Sequence, residues 1–161
     1  MAEQERVLVV SAHAADFCIR AGGTLSRYVA ANAPVRVLVM SPGARGESNE
    51  LWRAKGGKTT EAEVAAVRHK EAEAAAAILG VEVAFFVFPD QPLRFDRERL
   101  MGLVRQLRQF RPTIVLTHPL IRRYERPERP NWCPLITEIR ASVSRYSASV
   151  HEGKPPASTR Q

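Results

Sequence analysis

Cysteine is scarce in this chain. Cys18 and Cys133 are its two cysteines, they stand far apart, and they form no Cys-x-x-Cys pair. No disulfide framework or thiolate zinc motif is therefore on offer, and both are expected as reduced thiols in a cytoplasmic protein, Cys18 as a small buried hydrophobe. Long apolar runs are missing too, so no segment is expected to cross a bilayer, and a membrane is not an expected partner. The opening Met-Ala-Glu-Gln-Glu-Arg is polar and acidic, unlike a signal peptide. A Gly-x-Gly-x-x-Gly fingerprint is absent: Gly22-Gly23 comes too late after the first apolar run for a dinucleotide turn. Acidic residues are outnumbered, giving a formal net charge of +7. From Pro119 onward eight Lys/Arg face four Asp/Glu, whereas the preceding residues carry sixteen against thirteen. Over half the excess thus lies in that last stretch, and the remaining charges alternate in sign as on a solvated face. Nucleic acid is not expected as a partner.

The 161 residues suffice for one domain with a real core. Val7–Ser11, Val35–Met40, Val83–Phe88 and Thr113–Thr117 are short runs rich in Val, Ile, Leu or Phe. Such continuous runs suit strands covered on both faces. Helical patterns separate them over Gly22–Asn32, Thr59–Leu79 and Asp96–Phe110. Thr59 or Thr60 can cap the second of these, and Gly80 can stop it. Strand alternating with helix predicts an α/β sandwich with a mainly parallel sheet.

In such sheets ligands bind outside the carboxyl ends of the strands. His13 and Asp16 follow the first strand, Arg45, Glu47 and Ser48 the second, Asp90 the third and His118 the fourth. His13 and Asp16 could hold a divalent ion, and imidazole with carboxylate suits zinc. Gly22-Gly23, placed at a helix start, would expose N–H groups that favour anions. Arg45 could clamp a carboxylate bidentately or decorate a plain surface turn. Arg68 and Glu71 are spaced to pair with each other, His69 reads as exposed, and Trp52 reads as packing rather than covering a site.

These residues resemble the LmbE/PIG-L family. The matching segments are Ser11-Ala-His-Ala-Ala-Asp16 with Ala21-Gly-Gly-Thr24, Gly43-Ala-Arg-Gly-Glu-Ser48, Arg68-His-Lys-Glu-Ala72 with Ala77-Ile-Leu-Gly80, and Arg111-Pro112 before Thr117-His118-Pro119. The resemblance covers about residues 5–120. It implies a Rossmann-like three-layer α/β sandwich with a single zinc, His13 and Asp16 among its ligands, and N-deacetylation of amino sugars or related amides as the common activity. Deacetylases of the family carry His-Pro-Asp-Asp, whose first Asp is the general base, and here that position is Ala15. The 4-oxalomesaconate hydratase branch is more similar, through Ser11–Phe17, Arg20–Gly23 and Arg45–Ser48 with Leu51-Trp52. It implies water addition to a small, multiply charged acid of aromatic catabolism. Arg20, Arg45, Glu47 and Ser48 would then face substrate, Arg53 would add charge, and His118 would be a surrogate ligand or a catalytic neighbour.

The family's third ligand lies in an Asp-His segment after the fourth strand, and the chain has none there. Instead Ile121–Pro130 is rich in Arg and Pro. Residues 1–120 thus read as the family domain. Residues 121–161 read as a diverged, partly disordered basic tail, as a truncation or frameshift would leave, with the fold incomplete at that end. An amide deacetylase and a non-catalytic vestigial member stand as the alternatives, and assembly into a homo-oligomer is left open.

Overall fold

The computed structural model describes residues 4–46, 49–89 and 93–118. Along the chain run β1 (Val7–His13), α1 (Asp16–Ala30), β2 (Val35–Ser41), α2 (Asn49–Gly57), α3 (Glu61–Leu79), β3 (Glu82–Phe85), α4 (Arg97–Phe110) and β4 (Ile114–Thr117), with a single 3-10 turn at Ala44–Gly46. The strands form one all-parallel sheet in the order β3-β2-β1-β4.

The apolar runs became strands because both faces of the central pair are covered. Leu8 and Val10 of β1 and Leu38 and Met40 of β2 pack with Leu103 and Leu107 of α4. Their neighbours Val7, Val9, Val37 and Val39 point the other way, onto Phe17 and Leu25 of α1 and Ala72 and Ala76 of α3. The result is three layers, helix on sheet on helix. Each large side chain fully buried this way contributes roughly 1.5–3 kcal/mol. At the opposite end from the site, Arg36 of β2 joins three elements: its Nη2 lies 2.9 Å from Glu82 Oε2, its Nη1 lies 3.4 Å from Gln106 Oε1, and its guanidinium sits 4.7 Å above the Phe110 ring.

Helix ends follow their capping residues. Thr60 and Glu63 make a reciprocal capping box at the start of α3, and Gly80 ends it with φ of +69°. Asp96 caps α4 by accepting the Arg99 backbone N–H at 2.8 Å. Three expectations need correcting. β3 is shorter than Val83–Phe88, although Phe86 and Phe88 still donate backbone hydrogen bonds to Val39 and Met40 of β2. α2 was not foreseen, because Gly56-Gly57 and flanking lysines mask it. α1 starts at Asp16, not Gly22, so Gly22-Gly23 lies inside the helix and presents no free N–H groups to an anion. The glycines cost α1 about 1 kcal/mol each, and burial of Phe17 and Leu25 on either side overrides them.

The strand order reverses direction between β1 and β4. The crevice outside their carboxyl ends is where a doubly wound sheet binds ligands.

Candidate functional site

β1 delivers His13 at its last residue, and a tight turn through Ala14 and Ala15 brings Asp16 back as the first residue of α1. β4 delivers His118 from the other side of the crevice, 3.3 Å from Asp16 Oδ2 through its Nε2. The same oxygen accepts the His13 backbone N–H at 3.0 Å and lies 3.5 Å from His13 Nδ1. The turn is held by Ser11, fully buried, whose hydroxyl donates to the His13 carbonyl at 2.7 Å. His118 is fixed in turn by the Ala12 N–H, which donates to its Nε2 at 3.2 Å.

Burial by itself raises the Asp16 carboxyl, but hydrogen bonds from His118 and His13 outweigh it, and the group is held well below the usual carboxylate range. Asp16 is thus an anion at any physiological pH and cannot act as a general base near neutrality. The residue that could have taken that role in the turn is Ala15, whose methyl group takes no proton. Burial pushes the Cys18 thiol up, as for a structural thiol rather than a nucleophile.

Gly43 explains why His13 is aimed so consistently. It has φ of +77°, and a Cβ there would stand 3.0 Å from His13 Cβ and 3.2 Å from its Cδ2. The backbone of the turn after β2 is therefore a wall against the imidazole. Trp52 braces that turn by donating its Nε1–H to the Ala44 carbonyl at 3.0 Å, so its role is packing.

Two ligands of a tetrahedral ion at the usual zinc distances sit roughly 3.3–3.4 Å apart. The separation of 3.5 Å between His13 Nδ1 and Asp16 Oδ2 is close to that edge, and imidazole with carboxylate is a suitable donor pair. His118 is equally near, its Nε2 3.3 Å from Asp16 Oδ2 and 3.2 Å from the Ala12 backbone nitrogen. Among the described residues, no three His, Cys, Asp or Glu side chains converge as a ready donor set.

Two of the predicted substrate groups take part in ion pairs. Arg20 is largely exposed and lies 3.4 Å from Asp16 Oδ1 through its Nε. Arg45 is tied to Glu61 at 3.1 Å. Arg53 is exposed on α2. Arg68 pairs with Glu71 at 2.6 Å, as its spacing suggested. His69, expected to be exposed, is half-buried and stacks on Phe85 with 3.7 Å between ring centroids. Glu47, Ser48, Asp90 and the stretch 121–161 lie outside the described residues.

Sequence reasoning missed a cavity of about 380 Å³ at the carboxyl end of β2, lined among others by Ser41, Ala44, Glu61, Ala65, Phe88 and Arg99. Ser41 is the register partner of His13, so the cavity lies one strand over from the His–Asp pair. A Ser closing an otherwise apolar strand was its only signal in the sequence. No helix among the described residues is long and apolar enough to cross a membrane.

Comparisons with known proteins agree with this fold. The sequence model of the PIG-L family, GlcNAc-PI de-N-acetylase, matches residues 8–128. The 4-oxalmesaconate hydratase of Pseudomonas putida is 45% identical over 117 residues, which make up 73% of this chain and 45% of that protein. Among solved structures, the 4-carboxy-2-hydroxymuconate hydratase GalB of Pseudomonas putida is similar with a TM-score of 0.79 and 34% identity, covering 98% of this chain and 63% of that one. The N,N'-diacetylchitobiose deacetylase of Pyrococcus horikoshii follows with a TM-score of 0.74 and 25% identity, covering 98% and 59%. The chain spans about half the length of the curated relatives it matches.

Proposed function

The chain belongs to the PIG-L, or LmbE, family, and from that premise we propose that it is a zinc-dependent hydratase that adds water across the C=C bond of an unsaturated tricarboxylate such as 4-oxalomesaconate. The observation that carries this reading is Ala15. It occupies the turn between His13 and Asp16, where an amide-cleaving relative would need a proton acceptor. Identity of 45% to a hydratase over 117 residues supports it.

His13 and Asp16 would hold the ion, their donors already 3.5 Å apart. A zinc ion there supplies the Lewis acidity that activates water near neutral pH. Asp16, anionic throughout that range, contributes charge and orientation rather than proton transfer. His118 Nε2 lies 3.2 Å from the Ala12 backbone nitrogen and 3.3 Å from Asp16 Oδ2, contacts that orient the ring at the crevice. Hydration delivers the hydroxyl of one water to one alkene carbon and that water's remaining proton to the other, and His118 is the proposed relay for that proton. The substrate partner is a small polycarboxylate anion, with Arg20, Arg45, Glu47 and Ser48 as its proposed binding groups.

A deacetylase reading is favoured by the structural likeness to the diacetylchitobiose deacetylase. The two are separated by offering the protein 4-oxalomesaconate and an N-acetyl amino sugar side by side. Loss of the unsaturated chromophore without acetate release supports hydration. Acetate release without hydration reverses the ranking, and neither activity supports a non-catalytic member.

A further inference from the structure

We propose that Ser11 is a positioning residue of the metal site, setting the affinity for zinc through the backbone of β1 rather than as a ligand. This rests on the reading of His13 and Asp16 as the pair that holds the ion. Ser11 is 1% exposed, and it interrupts a strand otherwise built of Val, Leu and Ala before His13. A hydroxyl buried this deeply costs stability unless it is hydrogen-bonded. The Ser11 Oγ donates to the His13 carbonyl at 2.7 Å.

That hydrogen bond bends the end of the strand. Two residues of extended chain span about 6.6 Å, beyond the reach of a side chain as short as serine's. A contact of 2.7 Å therefore means that the His13 carbonyl folds back toward Ser11. The register against β2 marks the same place, since it pairs Ser11 with Val39 and His13 with Ser41 but leaves Ala12 out. Pairing with β4 has already ended at Val10.

The bend carries the site. The Ala12 backbone nitrogen lies 3.2 Å from His118 Nε2, and the His13 N–H donates to Asp16 Oδ2 at 3.0 Å. Successive N–H groups of a regular strand point to opposite edges, yet these two serve atoms that are 3.3 Å apart. Between the two expected ligands stand Ala14 and Ala15, and Ala15 caps α1 with no side-chain hydrogen bond. Neither alanine has a polar group that could hold the turn, so Ser11 holds it from inside the strand. Gly43 acts on a different part, because its backbone borders the His13 imidazole whereas Ser11 fixes the His13 main chain. The hydroxyl thereby helps to set the 3.5 Å between His13 Nδ1 and Asp16 Oδ2.

The test is the zinc affinity of the full chain, by competition with a chelating dye, in the parent, Ser11→Ala, Ser11→Thr, Ser11→Val and Thr60→Ala, with the melting temperature of each. Loss of a group that orients a ligand predicts zinc bound about tenfold to a hundredfold more weakly in Ser11→Ala. Ser11→Thr keeps the hydroxyl and should stay within about threefold of the parent, whereas Ser11→Val has the same shape without it and should match Ser11→Ala. Thr60→Ala loosens the start of α3 and should keep parental affinity, which separates positioning from a general loss of stability. The visible absorption of the cobalt(II)-loaded chain reports the donor arrangement, and it should change in Ser11→Ala but not in Thr60→Ala. Parental zinc affinity in Ser11→Ala overturns the proposal and leaves the metal site standing. Should Ser11→Ala fail to fold by circular dichroism, the Thr and Val variants decide, and equal affinities there overturn it. A parent that takes up no zinc refutes the metal reading and the proposal together. Hydroxyl-dependent zinc binding in a protein that only releases acetate sustains the role of Ser11 and refutes the hydratase.

Discussion

Gly43→Ala is the sharpest local perturbation, because it makes two separable demands. At φ of +77° an alanine is strained, at a cost of about 1–2 kcal/mol, partly offset by roughly 0.4–1 kcal/mol from a stiffer unfolded chain. The new methyl also lands 3.0 Å from His13 Cβ and 3.2 Å from Cδ2, closer than ordinary contact, so the imidazole must move. Overpacking of this kind costs about 1–3 kcal/mol more. Gly57→Ala separates the two demands, since Gly57 has φ of +80° and nothing within 4 Å of its added Cβ. Melting temperature by circular dichroism and zinc affinity by competition with a chelating dye are the readouts. A domain of this size shifts by roughly 2–5 °C per kcal/mol. Gly57→Ala should lose a few degrees and keep parental zinc affinity. Gly43→Ala should lose several degrees more and bind zinc at least about tenfold more weakly. Equal melting losses in the two variants, with zinc affinity unchanged, would refute the claim that the Gly43 backbone aims His13.

Two further outcomes follow from the same structure. The Asp16 carboxyl is depressed in the folded state, so its stabilisation is full above the unfolded carboxyl range, near pH 4, and is lost as pH falls below it; Asp16→Asn should flatten the acid limb of stability against pH, and a parental limb in that variant would remove Asp16 from the account. Thr60→Ala removes the side-chain half of the α3 capping box and leaves the Glu63 carboxylate on the residue-60 N–H; it should cost about 1 kcal/mol in urea unfolding with no change in zinc affinity.

Much of the fold could be read from the sequence because its strands are unambiguous. Val35–Met40 has no polar interruption but Arg36, and a run buried on both faces leaves helix and strand distinguishable by length and β-branching. The meeting of His118 with Asp16 also followed, since strands β1 and β4 end on the same edge of a parallel sheet. Gly22-Gly23 misled because a glycine pair signals a turn, while the burial of Phe17 and Leu25 that keeps α1 helical through it is a tertiary effect. Arg45 lies beside Glu61, sixteen residues on, and sequence spacing does not reveal that pair.

The central claim is that His13 and Asp16 form a metal-dependent hydration centre. Its most direct test is the hydration rate of 4-oxalomesaconate as zinc is titrated into metal-stripped protein, run in parallel on His13→Ala. The account predicts activity that rises to a plateau near one zinc per chain in the parent and stays at background in the variant. Activity independent of zinc, or retained in His13→Ala, would contradict it.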